Sequence, residues 1–183
     1  MENSLSKWEV DPTNSSVDFS VKHLMFAKVK GQFQRVHGTL QLDLDHPDHS
    51  TIEGEVESSS INTHEEKRDQ YLKGEAFLDA QKFPAIQFKS KKVQKIAEDQ
   101  FKILGDLVIH GMAHETELMT EIPLSRLKKQ KETSRIRAFA KTKIRRKDFG
   151  LTWNAALEAG DILVGDEISI NLDLQFFRSE DVL

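Results

Sequence analysis

Polar and apolar residues alternate with a period of two through most of this chain, the pattern of strands with one dry face and one wet face. Trp8 and Val10 flank Glu9, and Val17, Phe19 and Val21 alternate with Asp18, Ser20 and Lys22. Val36, Gly38, Leu40, Leu42 and Leu44 share one face of a run from Gly31 to Asp45, long enough to bend, with Gly38 a natural kink or bulge site. Ile52, Gly54 and Val56 face inward against Glu53, Glu55 and Glu57, and Ile86 and Phe88 follow a strand opened by Phe83-Pro84. Ile103 to Ile109 is apolar on both faces, which predicts cover on its outer side as well. Ile136, Ala138, Ala140, Thr142 and Ile144 form another inward face. The longest unbroken alternation is the last, Ile168, Ile170, Leu172, Leu174 and Phe176.

Between these runs lie turn signals. Asp11 to Ser15 and Asp45 to Ser50 carry the Pro, Asn, Asp and Ser residues that supply turn dihedrals and local hydrogen bonds. His23 to Ala27 interrupts the alternation and reads as a turn of helix or a bulged crossover. His110 to His114 turns into a strand containing Leu118, Thr120 and Ile122, and Pro123 to Thr133 reads as a loop with Lys128, Lys129 and Lys131 at its tip. Thr63-His-Glu-Glu66 has capping-box spacing and predicts the one helix, through Leu72, with Gly74 as its stop.

About eight or nine strands at near-hairpin spacing predict an all-β antiparallel meander, and closure into a barrel removes the exposed edges of so many strands. A sandwich is the other architecture the pattern allows. The 183 residues suffice for one domain, predicted to span 1–183.

Composition narrows the partners. With 38% hydrophobic and 31% charged residues the chain is an ordinary globular one. A formal charge of -4 offers no general attraction to phosphate backbones, so nucleic acid is disfavoured as a partner. There is no cysteine, which excludes disulfides, thiolate catalysis and Cys-ligated zinc. No run approaches the roughly 18 apolar residues of a spanning helix, and the first residues lack a signal-peptide pattern. The expectation is a cytoplasmic protein with no integral membrane segment, or a periplasmic or extracellular one if a leader has been removed.

Small residues at inward phases, Gly38, Gly54, Ala138 and Ala140, either accommodate strand crossings or leave internal space for a ligand. With 11 Phe and one Tyr the aromatic lining would suit an apolar occupant, because phenylalanine has no hydroxyl to satisfy. Of the seven histidines, His110 and His114 have i, i+4 spacing but sit in a turn, and His46 and His49 fall in a polar turn. His37 lies near a strand kink and His64 beside the helix cap, so no metal site is predicted. The chain has no nucleophile motif and no phosphate-binding glycine fingerprint, its carboxylates are mostly outward, and neither a catalytic residue nor a cofactor is predicted.

Ile144 to Asn154 crowds two arginines, an aspartate, a phenylalanine, a glycine and a tryptophan where a sheet would end. Together with Val17 to His23, Val29 to Phe33, Arg68 to Leu72, Phe83 to Ser90 and Leu104 to Gly111, it resembles the YceI-like family of small lipid-binding proteins. The resemblance runs from about Trp8 to Phe176 in the family's order. It implies an elongated, lipocalin-like antiparallel barrel of eight or slightly more strands with one short helix, a tunnel for a polyisoprenoid chain, no assigned catalysis and a homodimer. Tyr71 stands where histidine is common in the family's helix motif, and any histidine-dependent role of that helix is in doubt.

Combined with the residue pattern, the resemblance assigns Phe19, Val21, Phe33, Phe88, Ile109, Ala138, Ala140 and Phe176 to a tunnel lining. His23, Arg68, Arg146, Trp153 and Asn154 are candidates for its polar end, with Phe149 and Trp153 closing apolar space. Arg68 and Arg146 have an alternative role, pairing with Asp69, Asp148 or another carboxylate. The functional expectation is binding, transport or storage of a polyisoprenoid, an isoprenoid quinone or another long-chain lipid. The alternative is an enzyme acting on such a lipid at the barrel mouth.

Overall fold

The computed structural model describes residues 5–23, 27–130, 132–152 and 164–179. Eight antiparallel strands close a ring: β1 (Leu5–Val10), β4 (Val36–Asp43), β5 (Thr51–Glu57), β7 (Ala85–Ala97), β8 (Gln100–Ile109), β9 (Met112–Glu121), β10 (Arg135–Arg145) and β11 (Val164–Arg178), which returns to β1. Three further strands, β2 (Ser16–His23), β3 (Ala27–Phe33) and β6 (Ile61–Asn62), extend the sheet from the free edge of β11.

The long alternating run of the last strand explains this branching. β11 pairs with β10 from Arg145↔Glu167 to Arg135↔Phe177. On its other edge it pairs first with β2, from Val164↔His23 to Asp173↔Ser16, and then with β1, from Val10↔Phe176 to Trp8↔Arg178. At the junction the backbone N–H of Asp11 donates to Gln175 O at 2.7 Å. One wall of the tube is therefore built from β1 and β4 at one end and from β2, β3 and β6 at the other, which elongates it.

The run from Gly31 to Asp45 is divided rather than continuous. Gln34 N donates to Ser60 O at 3.1 Å and Arg35 N to Ser60 Oγ at 3.2 Å, so the backbone there is bonded to the β5–β6 connection. β3 is thereby sent to β2 and β6, and β4 to β1 and β5.

The helix α1 (Glu66–Lys73) begins two residues later than its capping box suggests. Glu65 is the cap, its carboxylate accepting from Lys67 N at 3.1 Å and Arg68 N at 2.8 Å. Thr63 is buried instead and donates from both N and Oγ1 to Asp69 Oδ1, while His64 turns the chain at φ 62°. A second helical segment, α2 (Leu124–Lys129), replaces the expected loop. Leu124 and Leu127 are buried on its inner side, and the Asp99 carboxylate accepts from Ser125 N and Oγ. The lysines obscured an i, i+3 apolar pair that closes the barrel.

The ends of the barrel differ. At the α2 end Trp8, Phe101, Ile122, Leu124 and Phe176 belong to one buried cluster; at the α1 end Ile61, Leu78, Ile144, Phe149 and Leu151 belong to another. Among the described residues no helix is long and apolar enough to cross a membrane.

Candidate functional site

Between these two clusters the interior is hollow, and the strands record it residue by residue. Along β10 the inward positions Ile136, Ala138 and Ile144 are buried, whereas Ala140 and Thr142 between them are half-buried. Along β11 Ile168, Ile170 and Leu172 are half-buried, and Leu174 and Phe176 are buried. Inward side chains that keep exposed surface at mid-strand are facing a void. That void is an apolar cavity of about 230 Å³, lined by residues from every strand of the ring, with Leu124 bordering it at one end and Leu78 and Leu151 at the other.

The surface it presents is almost wholly hydrocarbon, although His37, Ser50, Thr51, Glu53, Glu55, Gln87, Thr120 and Thr142 also border it, and Thr120 Oγ1 is directed to the Leu118 carbonyl at 3.4 Å. Two phenylalanines keep their places because glycines lie beneath them. The Phe19 ring occupies the space a Cβ on Gly31 would need, and Phe88 Cζ would lie 2.5 Å from a Cβ on Gly105. Phe19 also leans on Phe33, with ring centroids 5.6 Å apart. Such a surface recognises area and shape and offers nothing to a charge.

A sequence profile described as YceI-like domain matches residues 8–176. The chain belongs to the YceI-like family. A UPF0312 protein of Staphylococcus aureus strain N315 is 31% identical over 179 residues, covering 96% of this chain and 100% of the relative, and the UPF0312 protein of strain MW2 is similar to the same extent. Solved structures share the YceI-like fold. Burkholderia cenocepacia BcnA superposes with a TM-score of 0.78 at 17% identity, covering 91% of this chain and 98% of that one. A polyisoprenoid binding domain from Saccharophagus degradans gives 0.71 at 13% identity, covering 94% and 98%. A Campylobacter jejuni YceI protein gives 0.66 at 24% identity, covering 87% and 90%.

In this YceI-like barrel seven of the eight expected lining residues, Phe19, Phe33, Phe88, Ile109, Ala138, Ala140 and Phe176, do line the cavity. Val21 shares their phase on β2 but is not part of the wall, although its partner on β11, Ile168, is; its other partner, Val29, is not. Phe149 is 1% exposed and sits behind Leu151 and Ile144, its ring edge-on to His114 with centroids 5.0 Å apart. It backs the wall without reaching the hollow.

Of the expected polar end, Arg68 and Arg146 have described side chains, and each bonds to other parts of the chain. Arg68 donates Nε–H to Thr63 Oγ1 at 2.7 Å and Nη2–H to Thr63 O at 2.8 Å, tying α1 to the strand before it. Arg146 is buried and donates to two backbone carbonyls, Gly165 O at 3.1 Å and Leu151 O at 2.6 Å, which fixes the turn after β10 against β11. Gly150 completes that turn at φ 67°. His23 ends β2 with its backbone paired to Ala27 and Val164. The side chain of His23, and Trp153, Asn154 and Lys131 entirely, lie outside the described residues, as does the interruption at 24–26.

Leu78, Leu151 and Leu124 are wall residues that strand periodicity misses, because none lies on a strand. Their signal was a short apolar element next to a helix stop, a turn or a lysine run. Asp99 beneath α2 illustrates the local electrostatics. Burial works to raise its pKa, but the Ser125 hydroxyl and amide overcome this and hold it below the ordinary carboxylate value.

Proposed function

We propose that this YceI-like protein binds, carries or stores a long apolar lipid, a polyisoprenoid or an isoprenoid quinone, in its internal hollow without catalysing a reaction on it. The observation that carries the reading is the cavity itself. At ~24 cal/mol per Å³ of residual cavity, a void of about 230 Å³ forgoes about 5.5 kcal/mol of packing. A hydrocarbon occupant restores those contacts, and each methylene it buries contributes about 0.8 kcal/mol. The fold-sharing domain from Saccharophagus degradans, described as polyisoprenoid binding, favours a prenyl chain over other apolar ligands. The predominantly hydrocarbon surface of the hollow favours a polar head group staying outside it.

Native mass spectrometry of protein purified without detergent, before and after incubation with a polyprenyl phosphate, tests this. One lipid bound per chain is expected. No adduct in either sample would overturn it, and conversion of the loaded lipid to product would replace the carrier with an enzyme. We extend the proposal to a homodimer, for which light scattering should return twice the 20.9 kDa chain mass.

A further inference from the structure

We propose that Asp43, His46 and His49 form a binding site for one divalent transition-metal ion at the α2 end of the barrel, independent of what fills the hollow. The three are spaced i, i+3, i+6 across the β4–β5 connection, and a 3-10 turn at Pro47–His49 brings them together. Three residues per turn eclipses side chains at i and i+3. The His46 and His49 rings are accordingly stacked, with centroids 5.3 Å apart and planes at 23°.

One donor atom from each of the three residues lies within 4.8 Å of the others, and His46 Nδ1 is 3.9 Å from Asp43 Oδ1. A tetrahedral ion with bonds of about 2.1 Å holds its ligands roughly 3.4 Å apart, so modest side-chain rotation completes the site. The imidazoles are free to make it, being 65% and 66% exposed, while the Asp43 side chain is only 13% exposed and fixed. Its Oδ1 accepts from Asp45 N at 3.0 Å and His46 N at 2.9 Å. The loop ends are tied by Asp43 N donating to Ser50 Oγ at 3.0 Å.

Two imidazoles and one carboxylate, with further positions open to water, suit zinc, nickel, cobalt or copper. Calcium and magnesium, which take oxygen ligands, are disfavoured. Single histidine turns would not distinguish this from a solvated loop; the convergence of three donors does.

The test is calorimetric titration of the full chain, stripped with chelator, with zinc chloride, alongside cobalt absorption spectra. One zinc per chain is expected, with affinity falling at least tenfold in His46→Ala and again in His49→Ala, and unchanged in His37→Ala. Both substituted rings are largely exposed, and an unchanged thermal midpoint without metal will verify that the variants fold. The proposal is overturned if the wild type shows no saturable binding up to millimolar zinc or if the variants bind like the wild type. Zinc held only between molecules, seen by light scattering as a metal-dependent rise in mass above that of the metal-free protein, overturns it as well.

Discussion

Gly38 and Gly54 face each other across β4 and β5, yet only Gly54 has room for a side chain. A Cβ on Gly38 would lie 2.8 Å from Glu53 O and 3.2 Å from the Gly54 Cα, so the strands meet there because the side chain is absent. A Cβ on Gly54 would meet only His37 O, at 3.5 Å. Gly38 thus serves a strand crossing, and Gly54 leaves space in the hollow. Gly38→Ala should lower unfolding free energy by about 1–3 kcal/mol through overpacking. Gly54→Ala should be neutral or stabilising by about 0.5 kcal/mol. Urea denaturation of the two variants reads the difference, and equal losses would contradict it.

Ala140 lies at mid-strand on β10, half-buried and opposite Leu172, where the wall is open to the void. Phenylalanine there should project into the hollow and displace an apolar occupant while the barrel folds. Ala140→Phe should weaken uptake of a fluorescent polyprenyl probe at least tenfold with little change in thermal midpoint. Phe176→Ala is the converse, since that ring is 1% exposed in the α2-end cluster. It should cost about 3–5 kcal/mol of stability. Uptake unaffected by Ala140→Phe would remove that residue from the binding surface.

The inward phases of β10 and β11 were readable because alternation on a half-wet strand is direct evidence of which side is buried. Ala138, Ala140 and Phe176 all fell where the pattern placed them. What alternation does not carry is position along the tube. Val21 and Phe19 have the same phase, and both pair with wall residues of β11, Ile168 and Ile170, yet only Phe19, one step nearer the middle of the tube, reaches the cavity. The division at Gln34 and Arg35 was equally hidden, since it depends on hydrogen bonds to Ser60, 25 or so residues away in sequence. Arg68 and Arg146 were visible as conspicuous cations, but their acceptors include a threonine and backbone carbonyls, which no charge pattern reveals. His46 and His49 were readable only as members of a polar turn, because the 3-10 turn that brings them beside Asp43 leaves no mark in the pattern.

Arg146→Ala separates a structural role from ligand contact. Removing the guanidinium leaves the Gly165 and Leu151 carbonyls without that donor, at a cost of about 1–3 kcal/mol. Stability should fall by that amount, while probe affinity of the folded protein stays within about twofold. Lost uptake at unchanged stability would move Arg146 to the ligand.

Acid sensitivity should be traceable to Asp173 on β11. Arg137 donates Nε–H to Asp173 Oδ1 at 2.7 Å and Nη2–H to Oδ2, and these bonds hold the carboxyl below its ordinary value against the smaller opposing effect of burial. Because its folded-state pKa lies below the unfolded one, the unfolded chain takes up the proton first as pH falls. The stabilisation is complete above the unfolded value, about 3.9, and is lost as pH drops through the folded value. Arg137 is 62% exposed, so solvent and salt limit the contribution to no more than about 1 kcal/mol. Urea midpoints measured from pH 7 to pH 2 should show wild type above Asp173→Asn at neutral pH, with the two curves converging as pH falls below the unfolded carboxylate value. Parallel curves across that range would show that the ion pair contributes nothing to stability.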